Sequence, residues 1–203
     1  MFREQGTSNT AKIEMVNLLI LLVKTHDYLC FADLKDLLNK LTIMAVSDSF
    51  YRVALDGMDL AQQLTVRPKD SRDDLRPIFP ALMAQLKATA SDLELKEKAV
   101  STVSVYLSFL GDHLPQADLK ECLSVLLSRL KNESTRLVTV RAINKICTYA
   151  SFDFDLFRVT GDIYSCTLTV SRFVNFRVQL NVDLTDFLVC MVVADFSCLL
   201  PFP

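Results

Sequence analysis

Asp92-Leu93-Glu94-Leu95-Lys96 opens with a small polar residue that can cap a helix and places a cation one turn further on. The same device stands at Ser8 with Lys12, at Asp48 with Arg52 and at Asn132 with Arg136. A side-chain oxygen at a helix N-cap accepts from one of the first backbone N–H groups, which have no partner inside the helix. The cations are spaced 52 − 12 = 40, 96 − 52 = 44 and 136 − 96 = 40 residues apart. Two helices fit in each interval, and a two-helix repeat of about 40–47 residues is the signature of HEAT and armadillo repeats. One helix pair cannot bury its own apolar stripe. Stacked pairs bury a continuous core, with the caps recurring along one edge. The expected fold is therefore all-α, a HEAT-type α-solenoid (an ARM-like superhelix) of about four helix pairs. The competing reading is a helical bundle whose spacing is accidental.

Outward from the caps, apolar residues recur at helical spacing. Leu34, Leu37, Leu38, Leu41 and Met44 form one stripe. Leu95, Ala99, Val103, Tyr106 and Leu110 form a second, and Leu119, Leu123, Leu126 and Leu130 a third. Turn residues separate them: Asp48, Arg67-Pro68, Ser91-Asp92, Gly111 with Pro115, and Asn132. The pattern predicts helices over 9–25, 31–46, 49–66, 73–88, 92–111, 116–131 and 133–150. Ser91 with Glu94 fits a capping box. Asp73-Asp74 falls where a helix dipole favours carboxylates.

After about Ala150 the chain changes character. No Lys follows Lys145 and no Glu follows Glu133, and the end is rich in Phe, Val, Thr and Leu. The expected division is a repeat solenoid over 1–157 and an atypical apolar segment over 158–203, with further helices at about 155–171 and 182–200. An alternative splice end or an imperfect gene model accounts for such a break. Phe187 to Ala194 is the most membrane-like stretch, but it is far shorter than the roughly 20 apolar residues a spanning helix needs.

Half of the residues are apolar (51%) and 23% are charged, so the chain can bury a core. A net charge of −2 argues against a nucleic-acid binder built on a dense basic patch. Six cysteines, Cys30, Cys122, Cys147, Cys166, Cys190 and Cys198, form no CxxC pair, and His26 and His113 are the only histidines. This is no zinc pattern, and it reads as reduced thiols in a cytoplasmic or nuclear protein. His26 and His113 fall at helix ends, where the C-terminal dipole suits them. Cys122 and Cys147 read as small apolar groups, and Met15, Met44, Met58 and Met83 as core. The run Glu94, Lys96, Glu97, Lys98 reads as a solvated face. Asn132-Glu133-Ser134 matches a glycosylation sequon by chance. No GxxxxGK, GxGxxG or HExxH is present. No catalytic, metal or cofactor site is expected.

The stretch Leu126-Leu127-Ser128-Arg129-Leu130-Lys131-Asn132-Glu133-Ser134-Thr135-Arg136-Leu137-Val138-Thr139-Val140-Arg141-Ala142 closely resembles a segment of the cullin-associated, neddylation-dissociated proteins. Ser47 to Arg52, Leu93 to Val100 and Leu110 to Leu114 are similar to the same family in the same order. The resemblance covers about residues 11–157 and departs after Phe157. It implies a fragment of about four repeats from a longer solenoid. It also implies a non-catalytic scaffold that binds unneddylated cullin with its RING partner and regulates assembly of SCF and other cullin–RING ubiquitin ligases. No nucleic acid, membrane or cofactor enters that role. The second helix of each pair usually lines the concave face of a solenoid, so Lys40, Gln85, Lys120 and Arg129 are the candidate partner-facing residues. The alternatives are a HEAT adaptor of another pathway, a small hydrolase using a cysteine nucleophile, and a truncated isoform without independent function.

Overall fold

Four side chains open four helices, and each does so by the hydrogen bond the sequence called for. Ser8 Oγ accepts from the Ala11 N–H at 3.2 Å, and Asp48 Oδ1 from the Phe50 N–H at 2.8 Å. Asp92 Oδ1 accepts from the Glu94 N–H at 3.2 Å, and Asn132 Oδ1 from the Ser134 N–H at 3.1 Å. Asp92, not Ser91, is the N-cap of its helix. These bonds come from a computed structural model that describes residues 8–26, 33–66, 72–88 and 92–149. All of them lie in one unit, Met1–Asp153. The expected segment 158–203, its two further helices and five of the six cysteine side chains lie outside the described residues.

Seven α-helices are described: α1 Asn9–Thr25, α2 Lys35–Val46, α3 Tyr51–Val66, α4 Phe79–Lys87, α5 Leu93–Leu110, α6 Gln116–Leu130 and α7 Glu133–Tyr149. The helix expected over 73–88 is broken in two. Residues Arg72–Ile78 form a 3-10 turn, and only Phe79–Lys87 is α-helical. Pro77 has no N–H to give an α-helix, and its ring disfavours the α conformation at Arg76. Pro80 then sits in the first turn of α4, where a missing N–H has no cost.

The helices form two rows. In one, α3 lies between α1 and α5, and α5 between α3 and α7. In the other, α2, α4 and α6 follow one another. The hairpins that join the two rows are α2 with α3, α4 with α5, and α6 with α7. The capped helix is thus the second member of each hairpin, and α1 is a capped helix standing before three complete hairpins.

The core lies between the rows. Leu95, Ala99, Val103, Tyr106 and Leu110 are all buried, as are Leu119, Leu126 and Leu130. Met58 and Met83 are buried, while Met15 and Met44 are half-buried. The stripe on α2 departs from expectation. Leu38 is buried, but Leu34 and Leu37 are 48% and 52% exposed. Their counterparts 41 residues on, Leu75 and Ile78, and again at Leu119 and Cys122, are buried. Those later segments have a helix before them in the row, whereas α2 is the first of its row among the described residues.

Candidate functional site

Each repeat is tied to the next by polar side chains one period apart. In the capped row, Lys12 Nζ meets Asp48 Oδ2 at 2.8 Å, so the cation of one repeat pairs with the cap of the next. Lys98 pairs with Asp59, and Gln62 Nε2 donates to Thr102 Oγ1 at 2.8 Å. Ser108 Oγ donates to the Lys145 carbonyl at 3.3 Å. In the other row, Lys35 Nζ meets Asp74 Oδ1 at 3.0 Å, and Asn39 donates to the Asp74 carbonyl. Asp74 is therefore a link between repeats.

The four residues expected to face a partner divide into two kinds. Gln85 Nε2 donates to the Val46 carbonyl at 2.7 Å, at the C-terminal end of α2. Arg129 Nη2 donates to the Leu86 and Ala88 carbonyls at 2.7 and 3.0 Å, at the C-terminal end of α4. The last carbonyls of a helix lack partners inside it, so both side chains complete the preceding helix of the row. Lys40 and Lys120 lie exposed on α2 and α6. The structure thus brings Gln85 and Arg129 into one repeated device and leaves the two lysines on the surface. Chain spacing does not reveal which carbonyl a side chain will meet about forty residues away.

A groove of about 420 Å³ crosses the capped row. Arg52, Leu55, Asp56 and Asp59 of α3 line it, with Glu94, Glu97, Lys98 and Ser101 of α5 and Val138 of α7. The charge run on α5, expected to be a solvated face, supplies one wall. Asp56 is the residue that sequence reading missed. Its Oδ2 is buried and has no hydrogen-bond partner among the described residues. Burial raises its pKa above the ordinary carboxylate value; Arg52 opposes this, Asp59 adds to it and Lys98 opposes it.

The sign of the pH effect follows. The unfolded chain gives up its Asp56 proton at the ordinary, lower pKa. Asp56 thus favours the fold below that pKa, and this contribution is lost as pH rises through the higher folded value. Asp56→Asn is expected to raise the urea midpoint near neutral pH, with the gain shrinking as pH falls into the carboxylate range. A lower midpoint at neutral pH would instead mean that Arg52 and Lys98 hold the ionised carboxylate.

The cysteine within reach is Cys122, fully buried in α6. Burial pushes its thiol up to about 12; Glu121 adds to the shift and Lys87 opposes it. It is not a thiolate at neutral pH, so it packs as the small apolar group the sequence suggested and is no nucleophile. His26 ends α1, exposed, and His113 Nε2 lies 3.7 Å from Asp112 Oδ1 in the turn after α5. Among the described residues no group of three His, Cys, Asp or Glu could hold a metal ion, and no helix is long and apolar enough to cross a membrane.

Comparison with known proteins bears on the whole stack. A family model described as CAND1-like, TPR repeats, matches residues 1–103. Three curated relatives are named cullin-associated NEDD8-dissociated protein 1. That of Dictyostelium discoideum is 34% identical over 159 residues, which is 75% of this chain and 13% of the relative. That of Drosophila melanogaster is 29% identical over 83% of this chain and 14% of the relative. That of Arabidopsis thaliana is 30% identical over 71% of this chain and 12% of the relative. The chain thus spans about an eighth of the length of these relatives.

Proposed function

Because this chain belongs to the family described as CAND1-like, TPR repeats, we propose that it is a non-catalytic scaffold that binds unneddylated cullin and so regulates assembly of SCF and other cullin–RING ubiquitin ligases. The observation that carries this reading is the match over 75% of the chain to a protein whose name says cullin-associated and NEDD8-dissociated. The partner is a protein, the cullin–RING complex, and neither nucleic acid nor membrane has a part. The working compartment is the cytoplasm, the nucleus or both.

The architecture suits such a role. Stacked helix pairs present long rows of side chains held in register by the repeat contacts. Lys40 and Lys120 stand exposed on α2 and α6, the first members of their hairpins, and are the candidate contact residues. Gln85 and Arg129 act beneath them by holding helix ends in place, so their substitution disturbs the row's geometry before any contact.

The test is a pull-down of purified cullin–RING complex by the immobilised chain. Retention of the unmodified complex is expected, with loss of retention when the cullin is neddylated. Lys40→Glu with Lys120→Glu is expected to weaken retention while leaving the helical circular dichroism unchanged. Equal retention of both cullin forms, or of neither, refutes the proposal.

A further inference from the structure

The two rows are joined by different kinds of contact. In the capped row α5 and α7 are the most closely packed pair of described helices, whereas α4 and α6 meet at few points. Burial divides the same way. α5 buries 11 of its 18 residues and α6 four of its 15, so parting the capped row would bring far more of the core into water. Among the described residues, two polar contacts link α4 to α6. Arg129 of α6 donates to the Leu86 and Ala88 carbonyls at the end of α4. Lys87 Nζ of α4 meets Glu121 Oε1 of α6 at 2.6 Å, and both of these side chains are exposed. An exposed ion pair holds two helices together only weakly, so the half-buried Arg129 is the firmer link. The joint before it is braced differently. There the 3-10 turn Arg72–Ile78 packs on α2, and its Leu75 and Ile78 are buried, so Gln85 does not hold α2 and α4 alone.

We propose that Arg129 is the latch of a joint between α4 and α6. With its two bonds made, these helices stand at the spacing described above. When water takes its place at the Leu86 and Ala88 carbonyls, α6 moves away from α4 while α5 and α7 stay packed as the hinge. Water satisfies the freed carbonyls and the freed guanidinium, so the opening costs little beside the core exposure that parting α5 from α7 requires. Closely packed elements then move as bodies, and the change falls on the few contacts between them. The joint itself needs no partner. Its consequence for binding rests on the contact role proposed above for Lys40 and Lys120. Opening changes their separation, and so the span that this row offers to a protein.

The test is double electron–electron resonance on the full chain without a partner. Spin labels are carried on an encoded ketone residue, so that the six cysteines are left untouched. One label pair stands at positions 40 and 120, on α2 and α6, and the other at 52 and 141, on α3 and α7; all four residues are exposed. Arg129→Met keeps the aliphatic stem and removes the donors. It is expected to lengthen and broaden the 40–120 distance distribution and to leave the 52–141 distribution and the helical circular dichroism unchanged. Gln85→Met is expected to change the 40–120 distribution much less, because the 3-10 turn still braces α2. Should Arg129→Met fold poorly, Arg129→Lys decides, since it keeps a charged donor and is expected to broaden the 40–120 distribution to a smaller degree. A 40–120 distribution that stays native in the folded Arg129 variant overturns the proposal. So does equal broadening of both label pairs, which would mean general loosening, or equal broadening by the Gln85 and Arg129 variants.

Discussion

Tyr106→Ala is expected to cost about 3–5 kcal/mol, the largest loss of any single side chain considered. The Tyr106 ring is buried to 1% exposure in the middle of α5. It stacks on Phe79 at a centroid distance of 5.6 Å, tying α5 to α4. Its hydroxyl donates to the Leu75 carbonyl at 2.9 Å, inside the 3-10 turn that Pro77 imposes. The tyrosine thereby gives a carbonyl of this turn a donor from another helix. Burial also raises the Tyr106 pKa above the ordinary phenol value, so the hydroxyl is a protonated donor at neutral pH. Tyr106→Phe keeps the ring and removes the donor, and is expected to cost about 1–2 kcal/mol. Urea denaturation followed by helical circular dichroism measures both. Equal losses for the two variants would place the whole effect in the hydroxyl and contradict the packing argument.

Gly57→Ala is expected to destabilise the fold by about 2 kcal/mol, although alanine is the better helix former by about 1 kcal/mol. A Cβ on Gly57 would lie 2.6 Å from the Val46 nitrogen and 2.7 Å from the Ala45 carbonyl carbon. Both are backbone atoms and cannot swing aside. The glycine is what lets α3 cross the end of α2 at contact distance. The Val46 carbonyl is the one that Gln85 completes, so pushing α2 away also strains the link to α4. A midpoint unchanged or raised by Gly57→Ala would mean that the two helices separate at little cost.

The contrast between the caps and these two residues marks what the sequence made legible. The caps were readable because an N-cap bond closes within three residues, and each needs only the local chain. The helix over 9–25 was readable for the same reason, with Ser8 before it and neither Gly nor Pro inside it. The break at Pro77 was also local, and the overlooked signal was the proline itself. Gly57 carried a signal too, since glycine inside a helix has a cost unless something needs the space. Nothing nearby says what that something is. The groove beside Asp56 and the pairing of Arg129 with Leu86 depend on residues about forty positions away. The stripe of α2 shows the same limit from the other side. Leu34 and Leu37 repeat exactly as buried leucines do, and their exposure depends on what stands beside them.

The bonds at the helix ends also have an order in time. The Val46 carbonyl is completed by a side chain 39 residues later, and the Leu86 and Ala88 carbonyls by one 43 and 41 residues later. A ribosome adds about 5–20 residues each second, so each helix end waits some seconds after its own synthesis for the donor that finishes it. During translation the growing end of the stack is always the unfinished one, and a pause just before Gln85 or Arg129 prolongs the exposure of a helix terminus made well before it.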